Sequence, residues 1–264
     1  MAFKYRTLCS GSSGNASVLW TAKTAILIDF GILTQYRGRE ALAAVKEMAG
    51  RRAAAVFVTH AHSDHINKNS LKILAEAGIK VHCHPEVRQQ IVERCGVRHQ
   101  EIILTFTGQA AVGDLLVSHI PVDHSPRAAT FAFAVTTRRR GRSYKASFFT
   151  DLSKFTDQHV AFAQDSDLIL LEASYDLDLY RSSDNNYGCE YHLPNHKAAK
   201  FLHLVCEKSA RKPKAVVLAH LSERCNQRHL PAEAVAVYFK ERGRKPGFDL
   251  HVAGKREPGA VLAI

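Results

Sequence analysis

The chain has 264 residues, 46% of them hydrophobic, with 36 lysines and arginines against 25 acids and a formal net charge of +11. That apolar content suffices for one large α/β domain or two small ones, and no apolar run approaches the roughly 20 residues a bilayer crossing needs. The N-terminus has no basic stretch leading into an apolar run and cleavage site, and the six cysteines form no Cys-x-x-Cys pair, so a reduced cytoplasmic protein is expected, with no membrane attachment and a surface that attracts polyanions such as nucleic acid.

Strand character appears first around Phe3, Tyr5 and Thr7, then at residues 18–20 and 25–28, with the Gly/Ser/Asn connection "CSGSSGNAS" between them. "AAAVFVTH" reads as a buried strand and "SLKILAEAG" as a helix ending at Gly78; "KVHCH" is a short strand, and "PEVRQQIVERCG" a helix opened by Pro85 and closed by Gly96. Strands dominate residues 101–150, in "LLVSHIPVDH", "ATFAFAVTT" and "SYKASFFTD". The last two flank Arg138-Arg139-Arg140-Gly141-Arg142, which is either a solvated hairpin tip or a phosphate contact. Alternation then returns: strand "SDLILLEAS", helix "HKAAKFLHLVCEK", strand "KAVVLAHLS", helix "PAEAVAVYFKERG". Such a pattern implies two sheets packed together with helices outside. The stretch "YDLDLYRSSDNNYGCEYHLPN" is too long for an ordinary connection and is expected to be functional or mobile.

The strongest chemical signal is "THAHSDHI", where His60, His62, Asp64 and His65 fall within six residues on a turn after a buried strand. Imidazole and carboxylate suit zinc, manganese or iron, and a tight turn lets several donors converge. Further donors are expected at the ends of later strands: His124 closes "HIPVDH", Asp151 closes "SFFTD" and His220 closes "VVLAH".

With Asp29 in "ILIDFG", this ordered set resembles the metallo-β-lactamase superfamily over nearly the whole chain. A closer likeness is to its YycJ/WalJ-like group, through "CSGSSGNAS", "FFTDLS", "LILLEASYD", "HLPN" at His192 and "HLSERCN" at His220. The resemblance implies an α/β fold of αββα type with two mixed sheets, a single domain over residues 1–264, and two like halves meeting near residues 125–135. It implies two divalent metal ions, one held by His60, His62 and His124, the other by Asp64, His65 and His220. Asp151 would bridge them, and Asp29 would orient the histidine loop without binding metal. The chain departs from the group's pattern at Ser174-Tyr175 (usually Asn-His), Tyr191 (usually Gly) and Pro194 (usually Ser).

A two-metal site suits phosphodiester hydrolysis. Asp64, Asp151 and His192 form the expected catalytic set, with Asp64 binding metal and His192 contacting a phosphoryl oxygen or protonating the leaving alkoxide. Ser12, Ser13 and Asn15, with Ser10, would line the substrate side of the Gly/Ser loop. His82 and His84 have metal-like spacing but no third partner and are expected to be structural. Glu172 and Asp176 stand equally as supporting acids or as a plain strand-end turn. The leading function is a metal-dependent nuclease, exonucleolytic on DNA in preference to RNA, with zinc or manganese and iron as a third choice. The alternatives are a small cyclic phosphodiesterase and a nucleic-acid-binding protein with a non-catalytic metal site. A thioesterase or lactamase is disfavoured by the charge.

Overall fold

A computed structural model describes residues 2–51, 53–184 and 188–264. The strands are β1 (Lys4–Cys9), β2 (Ala16–Trp20), β3 (Ala25–Phe30), β4 (Ala55–Phe57), β5 (Lys80–Cys83), β6 (Ile103–Thr105), β7 (Gln109–Val112), β8 (Leu115–Pro121), β9 (Phe131–Arg139), β10 (Arg142–Phe149), β11 (Leu168–Glu172), β12 (Ala215–Ala219), β13 (Asp249–Val252) and β14 (Leu262–Ala263). The helices are α1 (Gln35–Ala49), α2 (Lys68–Glu76), α3 (Pro85–Cys95), α4 (Asp157–Ala163), α5 (Leu177–Ser182), α6 (Asn195–Lys208) and α7 (Leu230–Lys240).

These form two seven-stranded mixed sheets, ordered β14-β1-β2-β3-β4-β5-β6 and β13-β12-β11-β10-β9-β8-β7. Each follows the same plan. In the first, β14, β1, β2 and β3 pair antiparallel and β3 to β6 parallel; in the second, β7 to β10 pair antiparallel and β10 to β13 parallel. The chain crosses between sheets after Thr105 and returns through β14.

Strand alternation builds the layers. Along β11, Leu168 and Leu170 enter the core that also holds Val18, Ile26 and Phe148, while Ile169 and Leu171 join Phe201, Val205 and Phe239 beneath α6 and α7. Both faces of β11 and β12 are covered, which is why "LILLE" and "AVVLA" are nearly unbroken apolar runs. The sandwich expected from the sequence is the fold observed. Helix ends follow local chemistry: the Thr34 hydroxyl accepts the Arg37 N–H, the Asn67 side chain accepts the Ser70 N–H, and Gly50 closes α1 at φ 67°.

Helices α1, α4 and α5 and strands β13 and β14 were not legible from periodicity, α1 because one of its two fully buried positions is Gly38, which packs on Ile73 and leaves a gap in the apolar stripe. Within the 175–195 stretch expected to be functional or mobile, residues 185–187 lie outside the described residues. The rest carries α5 and a 3-10 turn, Cys189–Tyr191. Among the described residues, no helix is long and apolar enough to cross a membrane.

Candidate metal centre

The carboxyl ends of the parallel strands converge at one edge, where the last strand residues and the turns after them are free of sheet pairing and can aim side chains outward. Asp29 is the penultimate residue of β3, Thr59 and His60 follow β4, His124 follows β8, Asp151 follows β10, Glu172 ends β11 and His220 follows β12. Asp29 and His220 both sit in the left-handed region at φ 56°, a conformation that costs non-glycine residues about 1–3 kcal/mol and marks strained strand ends.

The histidine turn is held by main chain. The Asp64 carbonyl accepts the Asn15 N–H at 2.7 Å, and the His65 carbonyl accepts the Phe30 N–H at 2.9 Å. Gly31 permits this approach, since a Cβ there would lie 1.7 Å from the Asp64 carbonyl oxygen.

Four of the five imidazoles, those of His60, His65, His124 and His220, are oriented through Nδ1, which leaves Nε2 for the centre. His65 Nδ1 lies 2.8 Å from Asp29 Oδ2; the same carboxylate takes the Thr59 N–H at 2.8 Å and the Thr59 hydroxyl, and Thr59 Oγ1 is 3.0 Å from His60 Nδ1. His124 Nδ1 faces the Tyr191 carbonyl at 2.8 Å, and His220 Nδ1 faces Glu172 Oε1 at 2.8 Å.

The free atoms gather in two clusters. His60 Nε2 and His124 Nε2 lie 2.9 and 3.3 Å from His62 Nδ1. Asp64 Oδ2 lies 3.5 Å from His65 Nε2 and 3.6 Å from His220 Nε2. Asp151 stands between, with Oδ2 3.1 Å from His65 Nε2 and Oδ1 3.9 Å from His124 Nε2. All seven expected donors are thus brought together.

The donor set fits a divalent cation. Buried Asp151 Oδ2 and His220 Nε2 have no hydrogen-bond partner, and lone pairs of neighbouring imidazoles face one another, an arrangement that a cation satisfies and a proton alone does not. Burial pulls His60 well below its usual value, with the charge of His65 adding to it, and burial with His124 takes His62 down to about 4, so both are neutral at pH 7, the form in which an imidazole can bind a metal. Burial pushes the Asp151 carboxyl up, but His220 and His65 outweigh it and hold it well below the usual range. Asp64 is held low in the same way, chiefly by His65.

Glu172, which the sequence left undecided, joins four partners at the centre. Its fully buried carboxylate accepts the Leu152 N–H at 2.9 Å and the Leu193 N–H at 3.1 Å on Oε2, and meets Nδ1 of His192 at 2.6 Å and of His220 at 2.8 Å on Oε1. Its position at the end of an apolar strand is the signal shared with Asp29, Asp151 and His220. His192 sits 3.6 Å from Asp151 Oδ1 and is partly exposed. Burial lowers its basicity, but the Glu172 charge outweighs this and raises it. Asp176 instead caps α5, accepting the Asp178 and Leu179 N–H groups.

The Gly/Ser loop lies at the same edge, but its groups are divided. Asn15 is buried: its Oδ1 accepts the Gly11 N–H at 2.9 Å, and its Nδ2 donates to the Gly11 carbonyl while standing 3.0 Å from His65 Nε2 and 3.2 Å from Asp64 Oδ2. Ser10 Oγ accepts the His220 N–H at 2.9 Å, and Gly14 N–H is taken by the Gly11 carbonyl. Ser12 lines a cleft of about 270 Å³ together with Cys189, His192, His220, Ser222 and Arg224.

Two other sequence features fall away from the centre. The Arg138–Arg140 turn is at the opposite end of β9 and β10, about 25 Å of strand from Asp151, and Arg142 is paired with Asp167 at 2.7 Å. His82 stacks on Phe57, while His84 caps α3 and stacks on Phe131. Sequence reasoning also missed a reciprocal amide pair, Asn195 with Asn226, at 3.0 and 3.1 Å; Asn226 donates as well to the carbonyls of Ala173 and Ser174. It ties the "HLPN" and "HLSERCN" segments together beneath His192 and His220.

Comparison with known proteins agrees with this geometry. The exodeoxyribonuclease YycJ of Bacillus anthracis is 24% identical over 276 residues, covering all of both chains. The exodeoxyribonuclease WalJ of Streptococcus pneumoniae serotype 2 is 25% identical over 244 residues, covering 87% of this chain and 86% of that one. The crystal structure of YhfI from Bacillus subtilis, a metallo-β-lactamase fold protein, superposes with a TM-score of 0.72 at 14% identity, over the full length of both chains. The family described as the beta-lactamase superfamily domain matches residues 24–221. With two like sheets, the His-x-His-x-Asp-His turn and the later donors closing on it, the chain belongs to the beta-lactamase superfamily domain family, as a metal-dependent hydrolase of the YycJ/WalJ type with the metallo-β-lactamase fold.

Proposed function

We propose that the protein is a two-metal nuclease that hydrolyses DNA phosphodiester bonds, with zinc or manganese at the centre. The carrying observation is the pairing of a seven-donor cluster, buried except at His62 and Asp64, with His192, held against Glu172 beside it and open to the cleft. The relatives named as exodeoxyribonucleases and the +11 charge support a DNA substrate.

In this assignment His60, His62 and His124 would hold one ion and Asp64, His65 and His220 the other, with Asp151 as a donor available to both. Two ions held by these residues would lower the pKa of a water and offer positive charge to the oxygens of the phosphodiester. The chain's own work is orientation and proton handling. Asp29, Thr59, Glu172 and the Tyr191 carbonyl lock His65, His60, His220 and His124, so these four need not reorganise during reaction. Glu172 keeps His192 Nδ1 hydrogen-bonded, so Nε2 is the nitrogen free to contact a phosphoryl oxygen or to pass a proton to the leaving alkoxide. Ser12, which lines the cleft with His192 and His220, would contact substrate, whereas Asn15 supports Asp64 and His65 from behind. Tyr191 contributes through its carbonyl, which any residue supplies, so its departure from the group's glycine leaves His124 oriented.

The test is metal analysis of the purified protein combined with product mapping. DNA and RNA of one sequence, single-stranded and duplex, are labelled at either end and incubated with zinc or manganese. Mononucleotide release from DNA, lost in Asp151→Ala, is expected. Inactivity on every nucleic acid together with rapid turnover of a cyclic phosphodiester would sink the proposal.

A further inference from the structure

A second cleft, of about 530 Å³, shares the Gly/Ser loop with the metal centre: Ser12 lines the pocket over His192 and His220, and the next residue, Ser13, lines this cleft. The rims are also joined. Lys255 on the cleft has its Nζ 3.7 Å from Oε1 of Glu223 on the metal-centre pocket, and its carbonyl accepts the Ser10 N–H at 3.3 Å. On the other side Ile32 follows Gly31, the glycine packed on Asp64.

The lining divides into two chemistries. Leu8, Ile32, Leu33, Ala41 and Pro258 make an apolar floor, on which Leu33 remains 46% exposed. Arg37, Lys255 and Arg256 bring three cations to it. The one acid of the lining, Glu40, is hydrogen-bonded by Tyr36, whose ring is 71% exposed one residue from Arg37. The metal centre uses none of these groups. A flat apolar surface bordered by cations suits a nucleoside with its phosphate: the base covers apolar surface, and the charges meet the backbone. Ser12 and Ser13 are about 3.8 Å apart at Cα, so a strand crossing the loop passes directly from one site to the other.

We propose that this cleft is a nucleotide subsite, taking the nucleoside adjacent to the scissile phosphate on Leu33 and Ile32 and its outer phosphate on Arg37 and Arg256. The assignment rests on the nuclease reading for its substrate, and its test is built on binding so that the two can fail separately.

The full chain carrying Asp151→Ala is titrated against a fluorescein-labelled ten-nucleotide single DNA strand, read by anisotropy. Arg37→Glu and Arg256→Glu are each expected to raise Kd about tenfold and to lower the slope of log K against log salt by about 0.7 per lost contact. Leu33→Asp, at an exposed position, is expected to raise Kd by a similar factor. Lys240→Glu, the same charge change on the exposed side of α7, should shift Kd less than about twofold. An unchanged Kd for Leu33→Asp and Arg37→Glu, or equal weakening by Lys240→Glu, overturns the subsite, as does absence of binding to the starting protein. Cleavage is read separately with Asp151 intact: DNA bound through the cleft but uncut under every metal sinks the nuclease reading and leaves the subsite standing. DNA that is cut while Kd ignores the cleft variants does the reverse.

Discussion

Glu172 Oε1 meets His192 Nδ1 at 2.6 Å, the shortest of the contacts that orient a histidine at the centre, and it does so from full burial. Replacing the acid by its amide keeps the size and removes the charge. In Glu172→Gln the amide cannot accept at both positions, so either the Leu152 and Leu193 N–H groups or the two histidines lose their partner. Turnover is expected to fall about 100-fold, with a smaller change in KM, because a group that positions a proton donor acts on the reacting state. Steady-state kinetics on a labelled oligonucleotide checks this; wild-type turnover would remove Glu172 from the mechanism.

The Asn195–Asn226 pair makes a stability prediction. Asn226→Ala strands the Asn195 amide and the carbonyls of Ala173 and Ser174 in a dry site, for a loss of about 2–4 kcal/mol. Urea unfolding should register it. A double variant with Asn195→Ala should be less than additive, since the second substitution removes a group already left without its partner.

Gly31→Ala tests the close approach of the histidine turn. A Cβ 1.7 Å from a main-chain oxygen cannot be absorbed by a side-chain adjustment, so the turn must move and carry Asp64 and His65 with it. Soluble protein is expected to retain less than about half of the wild-type metal, because metal affinity depends on placing every donor at once. Full metal content measured by mass spectrometry would count against that packing.

A pH prediction comes from His82, away from the centre. Burial against Phe57 lowers its affinity for a proton in the folded state, while the unfolded chain binds one near pH 6.5. The unfolded state therefore gains protons as pH falls, and the stability this neutral ring contributes is present above about pH 6.5 and is lost below it. His82→Phe should show a smaller drop in Tm than wild type between pH 7.5 and 5.5, measured on both proteins with the same metal loading.

The histidine turn was legible because its four donors fall within six residues and follow a buried strand, so local sequence alone delivers them to one place. His124, Asp151 and His220 were legible for a related reason: each follows an apolar run, and strand polarity sends such residues to a sheet edge. Glu172 obeys the same rule in "LILLE", yet a carboxylate at a strand end can equally make a turn. Only the contacts from His192, His220, Leu152 and Leu193, between 20 and 48 residues away, decide between them.

What the sequence determined by itself was the donor inventory, the alternation of strands and helices that implies two packed sheets with helices outside, and the positive charge, all of which depend on residue type and short-range spacing. What only the tertiary structure decided was direction: that Asn15 turns inward to Asp64 and His65 while Ser12 and Ser13 face two different clefts, and that the arginine turn lies at the far end of its hairpin. The physical reason is that a hydrogen-bonding side chain on a loop takes whichever partner packing brings near, and those partners come from segments distant in the chain. For Asn15 the partner was the turn some fifty residues on, brought within reach by the absence of a side chain at Gly31.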